Sequence, residues 1–276
     1  MPSPARLVAL ALVATVVSLS LVHVAAGASA NPGFVLYSAQ GYDSAAVKAF
    51  NATHPGFTVT LNDNSTGPLL QQIQAEGTNP KWGALWVDGA TAFAQLDRRG
   101  MLVKNSVPAV AFNPLGLANV PADRSFTPTG LTVVGGLCYD SAQVSASQLP
   151  STWKQLTDPQ YQALGMNDPS QSGPTFPLIA GLMSYLGGYK SGSPAHAEAV
   201  GKAYLTSLYQ NGLAVNATNG PTLAAMAAQQ IRMAIIQTSA CYAAALNGTL
   251  PTIKVKYLDA SIALPGVIGI DAKQPA

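Results

Sequence analysis

One stretch decides the fold: TVTLNDNSTGPLLQQIQAEGTNPKWGALWVDGA, residues 58–90. Its first part, Thr58–Leu61, has the β-branched alternation of a strand. Leu69 and Ile73 then share one side of a predicted helix, because their spacing matches the helical period. Ala84–Val87 is short and almost wholly apolar, which is typical of a buried parallel strand. The stretch therefore predicts a strand–helix–strand unit whose polar turns lie at the carboxyl ends of the strands, where open α/β sheets bind ligands.

The same pattern occurs on both sides of this stretch. Phe34–Tyr37 is a predicted strand that a polar turn connects to a helix from about Tyr42 to Thr53. After Asp88, another predicted helix carries Phe93 and ends at a cation-rich turn before a glycine. Repeated strand–turn–helix units predict an α/β fold with a mostly parallel, Rossmann-like sheet covered by helices.

The segment Gly130–Tyr139, GLTVVGGLCY, is a long β-prone run interrupted by Gly135–Gly136. It predicts either a strand that crosses from one lobe to another or a single sheet strand with a bulge. Pattern alone leaves both alternatives open. A second set of α/β elements is predicted after Pro150.

Composition narrows the class of protein. The 276 residues are 48% hydrophobic and only 9% charged, which predicts a compact globular protein rather than a disordered one. The formal charge of +2 and the lack of a Lys/Arg cluster argue against nucleic acid as a partner. Cys138 and Cys241 form a disulfide if the protein is exported, or remain two buried free thiols.

The amino terminus has the pattern of a targeting segment. Arg6 precedes a hydrophobic run from Leu7 to about Leu21, and A-x-A sites follow at residues 26–28 and 28–30. This predicts a cleavable signal peptide over residues 1–30 and export to the periplasm. The alternative is an uncleaved membrane anchor, since the run is close to the length that spans a bilayer.

Catalytic chemistry has little support in the sequence. After the predicted cleavage site the histidines are His54 and His196, and each lies beside a predicted helix end. Neither a zincin, a nucleophile-elbow nor a phosphate-loop motif is present. We therefore expect a protein that is not an enzyme and that needs no cofactor and no metal.

Binding has more support, because Ser, Thr and Gly precede several predicted helices. Helix amino termini attract anions through free N–H groups and the helix dipole, and hydroxyl groups add neutral donors. Simple helix capping is the alternative for any one turn. The candidate ligand-binding residues are Ser38, Gln40, Ser65, Thr66, Gly67, Asp88, Gly89, Ser170, Gln171, Ser172, Gly173, Asn219 and Tyr242. We expect the serine- and glycine-bearing turns to converge on one cleft.

Asp88 differs from the other candidates because its carboxylate would repel an anion. It would serve an amine, a hydroxyl or a metal, or it would cap the helix that begins near Thr91.

Many short pieces of this sequence match one known family in order and spacing. They are Val35–Ala39 with Gly41, Ser65–Gly67 with Leu69–Leu70, Ile73–Gly77 ahead of Asn79–Pro80, Leu85–Trp86 with Gly89–Ala90, Trp153, Leu156, Asp158–Pro159, Tyr161, Asp168–Ser170 with Ser172–Gly173, and Pro265–Gly266 with Ile268. With these pieces the chain resembles the iron/phosphonate/sugar-phosphate group of periplasmic solute-binding proteins, which serve ABC importers.

The resemblance implies two α/β lobes, joined by a crossing-strand hinge, that close on a ligand. It implies a monomer that delivers a solute to a membrane-embedded ABC importer permease. The implied segments are a signal peptide over 1–30, a first lobe over 31–136, a second lobe over 137–250 and a return to the first lobe over 251–276. This return is shorter than in relatives.

The ligand implied by the resemblance is a small anion, a phosphonate or a phosphate ester. Ferric-ion binders of the group use two adjacent tyrosines, where this chain has Ser239–Ala240–Cys241–Tyr242 with one tyrosine. Ferric iron is therefore the second alternative. A secreted hydrolase is an alternative from another class.

Overall fold

The computed structural model describes residues 33–188 and 192–273, so the predicted signal peptide over residues 1–30 lies outside the described residues. The elements of the amino-terminal half follow the predicted alternation of strands and helices. They are β1 (Phe34–Ser38), α1 (Asp43–Thr53), β2 (Val59–Asp63), α2 (Thr66–Glu76), β3 (Ala84–Asp88), α3 (Thr91–Arg98), α4 (Pro114–Leu117) and β4 (Thr127–Val133).

The carboxyl-terminal half has the same alternation, with three short 3-10 helices between residues 146 and 161. Its strands and α-helices are β5 (Gly136–Asp140), β6 (Leu164–Asn167), α5 (Thr175–Leu186), α6 (Pro194–Gln210), β7 (Ala214–Asn216), α7 (Asn219–Ala227), β8 (Met233–Ile236), α8 (Thr238–Leu246), β9 (Ile253–Tyr257) and β10 (Ala263–Ile270). Of the helices in the described part, none combines the length and the apolar character needed to cross a bilayer.

The strands form two five-stranded sheets, with the orders β2-β1-β3-β10-β4 and β7-β6-β8-β5-β9. In the first sheet β1 is parallel to β2 and β3, whereas β10 runs antiparallel to both β3 and β4. In the second sheet β6 is parallel to β7 and β8, whereas β5 is antiparallel to β8 and β9. The predicted α/β fold with two lobes is confirmed, and each sheet is mixed because one strand enters it from the other lobe.

Two segments cross between the sheets. Val134 and Gly135 lead from β4 to β5, and residues 258–262 lead from β9 to β10. The crossing segments touch: the Val134 amide donates to the Ile262 carbonyl at 2.8 Å, and a side chain on Gly135 would lie 2.9 Å from the Cα of Ser261. The run at Gly130–Tyr139 is thus a crossing, and the return to the first sheet follows β9 instead of beginning at residue 251.

Each lobe has its own apolar core. The predicted helix stripe is buried against the first sheet, where Leu69 and Ile73 pack with Leu85, Phe93 and Val267. In the second lobe, one face of the sheet is covered by the large cluster that contains Trp153, Leu178, Leu182, Leu208 and Ile235. Burying these side chains is the main source of stability for both lobes.

Cys138 of β5 and Cys241 of α8 form a disulfide, with Cα atoms 6.3 Å apart. Both cysteines are fully buried in a smaller cluster on the second sheet, together with Met226, Ala234 and Ile236. Of the two alternatives for the cysteines, the structure shows the disulfide. It ties α8, whose first turn faces the space between the lobes, to a central strand.

Candidate functional site

A cleft of about 800 Å³ lies between the two sheets. It is lined by the loops and helix starts that follow β1, β2, β6, β7 and β8, and by the last residue of β3. Residues 130–132 of β4 and Gly266 of β10 complete the lining. The predicted candidates that line it are Gln40, Ser65, Thr66, Asp88, Ser172, Gly173, Asn219 and Tyr242. The expected convergence of turns from distant parts of the sequence is therefore seen for these residues.

Ser38, Gly89 and Ser170 lie outside the cleft lining. Ser38 is fully buried, and its Oγ accepts a hydrogen bond from the Gln40 amide at 3.2 Å. This bond stabilises the turn at the end of β1. The Gly89 amide donates to the Pro265 carbonyl at 2.8 Å, and its φ of 90° suits glycine. Ser170 donates to Asp168 Oδ1 at 2.7 Å. These residues shape the walls of the cleft but do not face it.

Gly67 and Gln171 join the two lobes at the rim of the cleft. The Gly67 amide, in the first turn of α2, donates to the Gln171 carbonyl at 3.2 Å. A Cβ on Gly67 would overlap the Ser170 carbonyl oxygen, and a Cβ on Gly173 would overlap the Thr66 side chain. The lobes can approach this closely only because both positions are glycine.

Asp88 also connects the lobes. It is 6% exposed; Oδ1 accepts Gln40 Nε2 at 3.1 Å, and Oδ2 accepts Gln237 Nε2 from the second lobe at 2.8 Å. The Asp88 side chain does not cap α3, which begins without a side-chain cap. Burial raises the pKa of Asp88, while its two amide donors act in the opposite direction.

Two further carboxylates in the cleft were missed by the sequence analysis. Asp43, the first residue of α1, is 3% exposed; Oδ1 accepts the Ser44 amide at 2.7 Å, while Oδ2 is buried and has no hydrogen-bond partner in the described structure. Asp63 ends β2 and is exposed. Burial, and then the charge of Asp43, raises the pKa of Asp63. The signal that could have found them is their position after β1 and at the end of β2.

An aromatic pair lies beside these carboxylates. The Tyr42 ring lines the cleft, is 55% exposed and packs edge-on against Trp86 with ring centroids 5.2 Å apart. Trp86 is held in turn by its Nε1, which donates to Thr129 Oγ1 at 2.9 Å. Burial, followed by the charges of Asp88 and Asp43, raises the pKa of Tyr42. The tyrosine therefore lies in a negative electrostatic field.

Tyr242 is the tyrosine on which the ferric-iron alternative depends. Its hydroxyl lies 3.3 Å from that of Tyr257, and this contact raises the pKa of Tyr242. Tyr242 lines the cleft, but Tyr257 is not among the lining residues. Within residues 33–188 and 192–273, no group of three or more His, Cys, Asp or Glu side chains is arranged to hold a metal ion.

The Gln237–Asp88 contact leads to a pH-dependent prediction. Because the folded-state pKa of Asp88 is raised, its contribution to stability is present at low pH and lost as the pH rises through that pKa. Gln237 offsets part of this loss, since it donates to the ionised carboxylate. We expect Gln237→Leu to lower the free energy of unfolding by about 1–2 kcal/mol near pH ~7 and by less near pH ~4. Urea unfolding at both pH values measures this.

A double-mutant cycle supplies the control for this prediction. In the Asp88→Asn background the charge is gone, so the effect of Gln237→Leu should be smaller and should not vary with pH. A loss that is equal at both pH values in the wild-type background would contradict the prediction.

Comparisons with known proteins agree with this architecture. The family model of bacterial extracellular solute-binding proteins matches residues 45–272. No curated protein matches the sequence.

Several solved structures are similar over most of their length. Iron-bound HitA from Pseudomonas aeruginosa is 20% identical, with a TM-score of 0.65, covering 87% of this chain and 75% of HitA. AfuA from Actinobacillus pleuropneumoniae, with exogenous fructose-6-phosphate bound, is 18% identical with a TM-score of 0.72, covering 87% and 74%. The substrate-binding protein of an ABC transporter from Agrobacterium tumefaciens is 14% identical with a TM-score of 0.73, covering 91% and 72%. At these identities the likeness shows the fold.

Proposed function

We propose that this chain, which belongs to the family of bacterial extracellular solute-binding proteins, captures a small solute in the cleft and delivers it to the membrane-embedded permease of an ABC importer. The observation that carries the proposal is an 800 Å³ cleft whose two walls belong to different sheets. Ligand sites of 300–1,000 Å³ are usual for small molecules. The location we propose is the periplasm, which agrees with the signal peptide predicted from the sequence.

The capture mechanism follows from the contacts between the lobes. With the lobes apart, a solute reaches side chains of both walls. On closure, the Gly67 amide meets the Gln171 carbonyl and Gln237 meets Asp88. Water then leaves the cleft, and hydrogen bonds to the solute become stronger in the lower dielectric. The crossing segments are short enough to act as the hinge for this movement.

We propose no catalytic step. Family members and similar solved structures are binding proteins. The hydrolase alternative also lacks a supporting observation, since the described part of the cleft lining contains no histidine and no cysteine.

The chemical class of the solute is a separate question. Ser65, Thr66 and Ser172 line the cleft, as an anionic solute would require, and AfuA provides a similar fold with a sugar phosphate bound. That the solute is a phosphonate or a phosphate ester stays a prediction. That it is ferric iron, as in iron-bound HitA, also stays a prediction. The iron alternative has weaker support in this chain, because Tyr242 lines the cleft and Tyr257 does not.

Mass spectrometry of small molecules released from the purified protein tests the proposed function. We expect one dominant solute, and adding it back to stripped protein should decrease the radius of gyration in small-angle X-ray scattering. The double variant Ser65→Ala with Thr66→Ala should bind this solute about thirtyfold more weakly, since two hydrogen bonds worth about 1 kcal/mol each are lost.

Thr249→Ala is the matched control, because Thr249 is an exposed turn residue away from the cleft. If no solute is released and no compound tested changes the radius of gyration, the proposed function fails.

A further inference from the structure

The charge of the cleft is unbalanced. Three of its lining residues are Asp43, Asp63 and Asp88, and none of the lining residues in the described part is Lys, Arg or His. A bound anion would therefore face three carboxylates without a compensating cation. Helix amino termini supply only about half a unit of positive charge each, within one turn of the helix, and this does not outweigh a nearby carboxylate.

Asp43 supplies an independent observation. Its side chain is almost fully buried and lines the cleft, yet Oδ2 accepts no hydrogen bond from the described residues. The Ser44 amide donates to Oδ1 alone. Leaving a buried carboxylate oxygen without a donor is costly. A donor from outside the chain, with positive charge, would remove that cost.

Asp63 and Tyr42 line the cleft near Asp43. Asp63 is close enough to Asp43 for the charge of Asp43 to raise its pKa, so a cation between the two carboxylates would be attracted by both. The exposed Tyr42 ring adds an aromatic face, which also attracts cations. Asp88 has a different role, because Gln40 and Gln237 already bind both of its oxygens. It contributes negative potential from the floor of the cleft.

We propose that the solute carries a protonated amine, whose N–H groups bind Asp43 and Asp63 beside the ring of Tyr42. This inference rests on the proposed function, since it names the class of solute for the same cleft. The hydroxyl and amide groups of Ser65, Thr66, Ser172 and Asn219 then bind the uncharged polar parts of the solute. The anionic solute expected from the sequence is replaced by a cationic one.

The test compares probes of opposite charge on stripped protein. The cationic probes are ethanolamine, agmatine and 1,5-diaminopentane; the anionic probes are methylphosphonate and glycerol 3-phosphate. Isothermal titration calorimetry measures affinity, and small-angle scattering measures closure. We expect at least one amine to bind and to close the lobes, with an affinity that falls as salt is added. We expect neither anion to do so.

Charge-neutral variants locate the interaction. Asp43→Asn keeps the shape and the acceptor for Ser44, and it should weaken amine binding about tenfold or more. Asp63→Asn, at an exposed position where folding is safe, should weaken it by a smaller factor. Asp140→Asn is the matched control and should leave amine affinity unchanged, because Asp140 is a buried carboxylate in the second lobe outside the cleft that accepts a backbone amide in the same way.

The outcomes separate this inference from the proposed function. Amine binding that Asp43→Asn and Asp63→Asn weaken, and Asp140→Asn does not, supports the inference. If the anions bind and close the lobes while the amines do not, the inference is overturned and the proposed function stands. The same holds if amine affinity is equal in Asp43→Asn, Asp63→Asn and the wild-type protein. If no probe of either charge binds and no solute is released from the purified protein, both fail.

Discussion

Replacing Cys138 and Cys241 together by alanine should lower the free energy of unfolding by about 2–5 kcal/mol. The disulfide joins residues 103 positions apart, so in the unfolded chain it closes a large loop. For a loop of about 100 residues, the chain-entropy model gives roughly 4.7 kcal/mol. Guanidinium unfolding of the oxidised wild-type protein and of the double variant measures the difference.

Reduction provides the control for the disulfide. Dithiothreitol should destabilise the wild-type protein by a similar amount and leave the double variant unchanged, provided that the reagent reaches these fully buried sulfur atoms after partial unfolding. Because both cysteines lie in the second lobe, α8 and its contacts with β5 and β9 should lose protection in hydrogen exchange first. Equal stability of the oxidised and reduced proteins would refute this account.

Gly67→Ala should weaken solute binding by about thirty- to a thousandfold without destabilising the separate lobes. In the structure, where the two lobes touch at this point, the added Cβ would overlap the Ser170 carbonyl oxygen and lie 3.0 Å from the Cα of Gln171. Overpacking of this kind costs about 1–3 kcal/mol, and the lost hydrogen bond adds about 1 kcal/mol. In the open form alanine in the first turn of α2 is favourable, since it has the higher helix propensity.

Calorimetry with the solute released from the wild-type protein measures the affinity, and scattering measures closure. Gly56→Ala is the matched control, because a Cβ there would meet no atom of the described residues within 4 Å. It should bind and close as the wild-type protein does. Undiminished closure of Gly67→Ala would show that the contact between Gly67 and Gln171 is not required for capture.

Much of the fold could be predicted because its signals are local. The stripe of Leu69 and Ile73, the apolar run at Ala84–Val87 and the glycine break at Gly135–Gly136 each depend on neighbouring residues, and the elements lie where these patterns place them. Strand order could not be predicted in the same way. The antiparallel insertion of β10 between β3 and β4 joins parts of the chain that are far apart in sequence, and no local pattern encodes that pairing.

The candidate site was predictable where position in the sheet determines it. Thr66 and Ser172 follow parallel strands and line the cleft, as that position implies. Ser38 also lies at the end of a parallel strand, but its hydroxyl accepts the Gln40 amide within the turn and does not face the cleft. Asp43 and Gln237 were missed because an acid at a helix start and a glutamine after a strand are both ordinary in sequence. Their importance comes from burial and from partners in three dimensions.

The central place of β10 has a consequence for how this protein acquires its structure. The first sheet cannot be completed until residues 263–270 are available, because among the described strands β4 pairs with β10 alone and β3 holds β10 on its other side. During synthesis or secretion from the amino end, β4 must wait without its neighbour while more than a hundred intervening residues emerge. The last strand of the second sheet ends at Tyr257, so the second lobe has all of its strands available before the first lobe does.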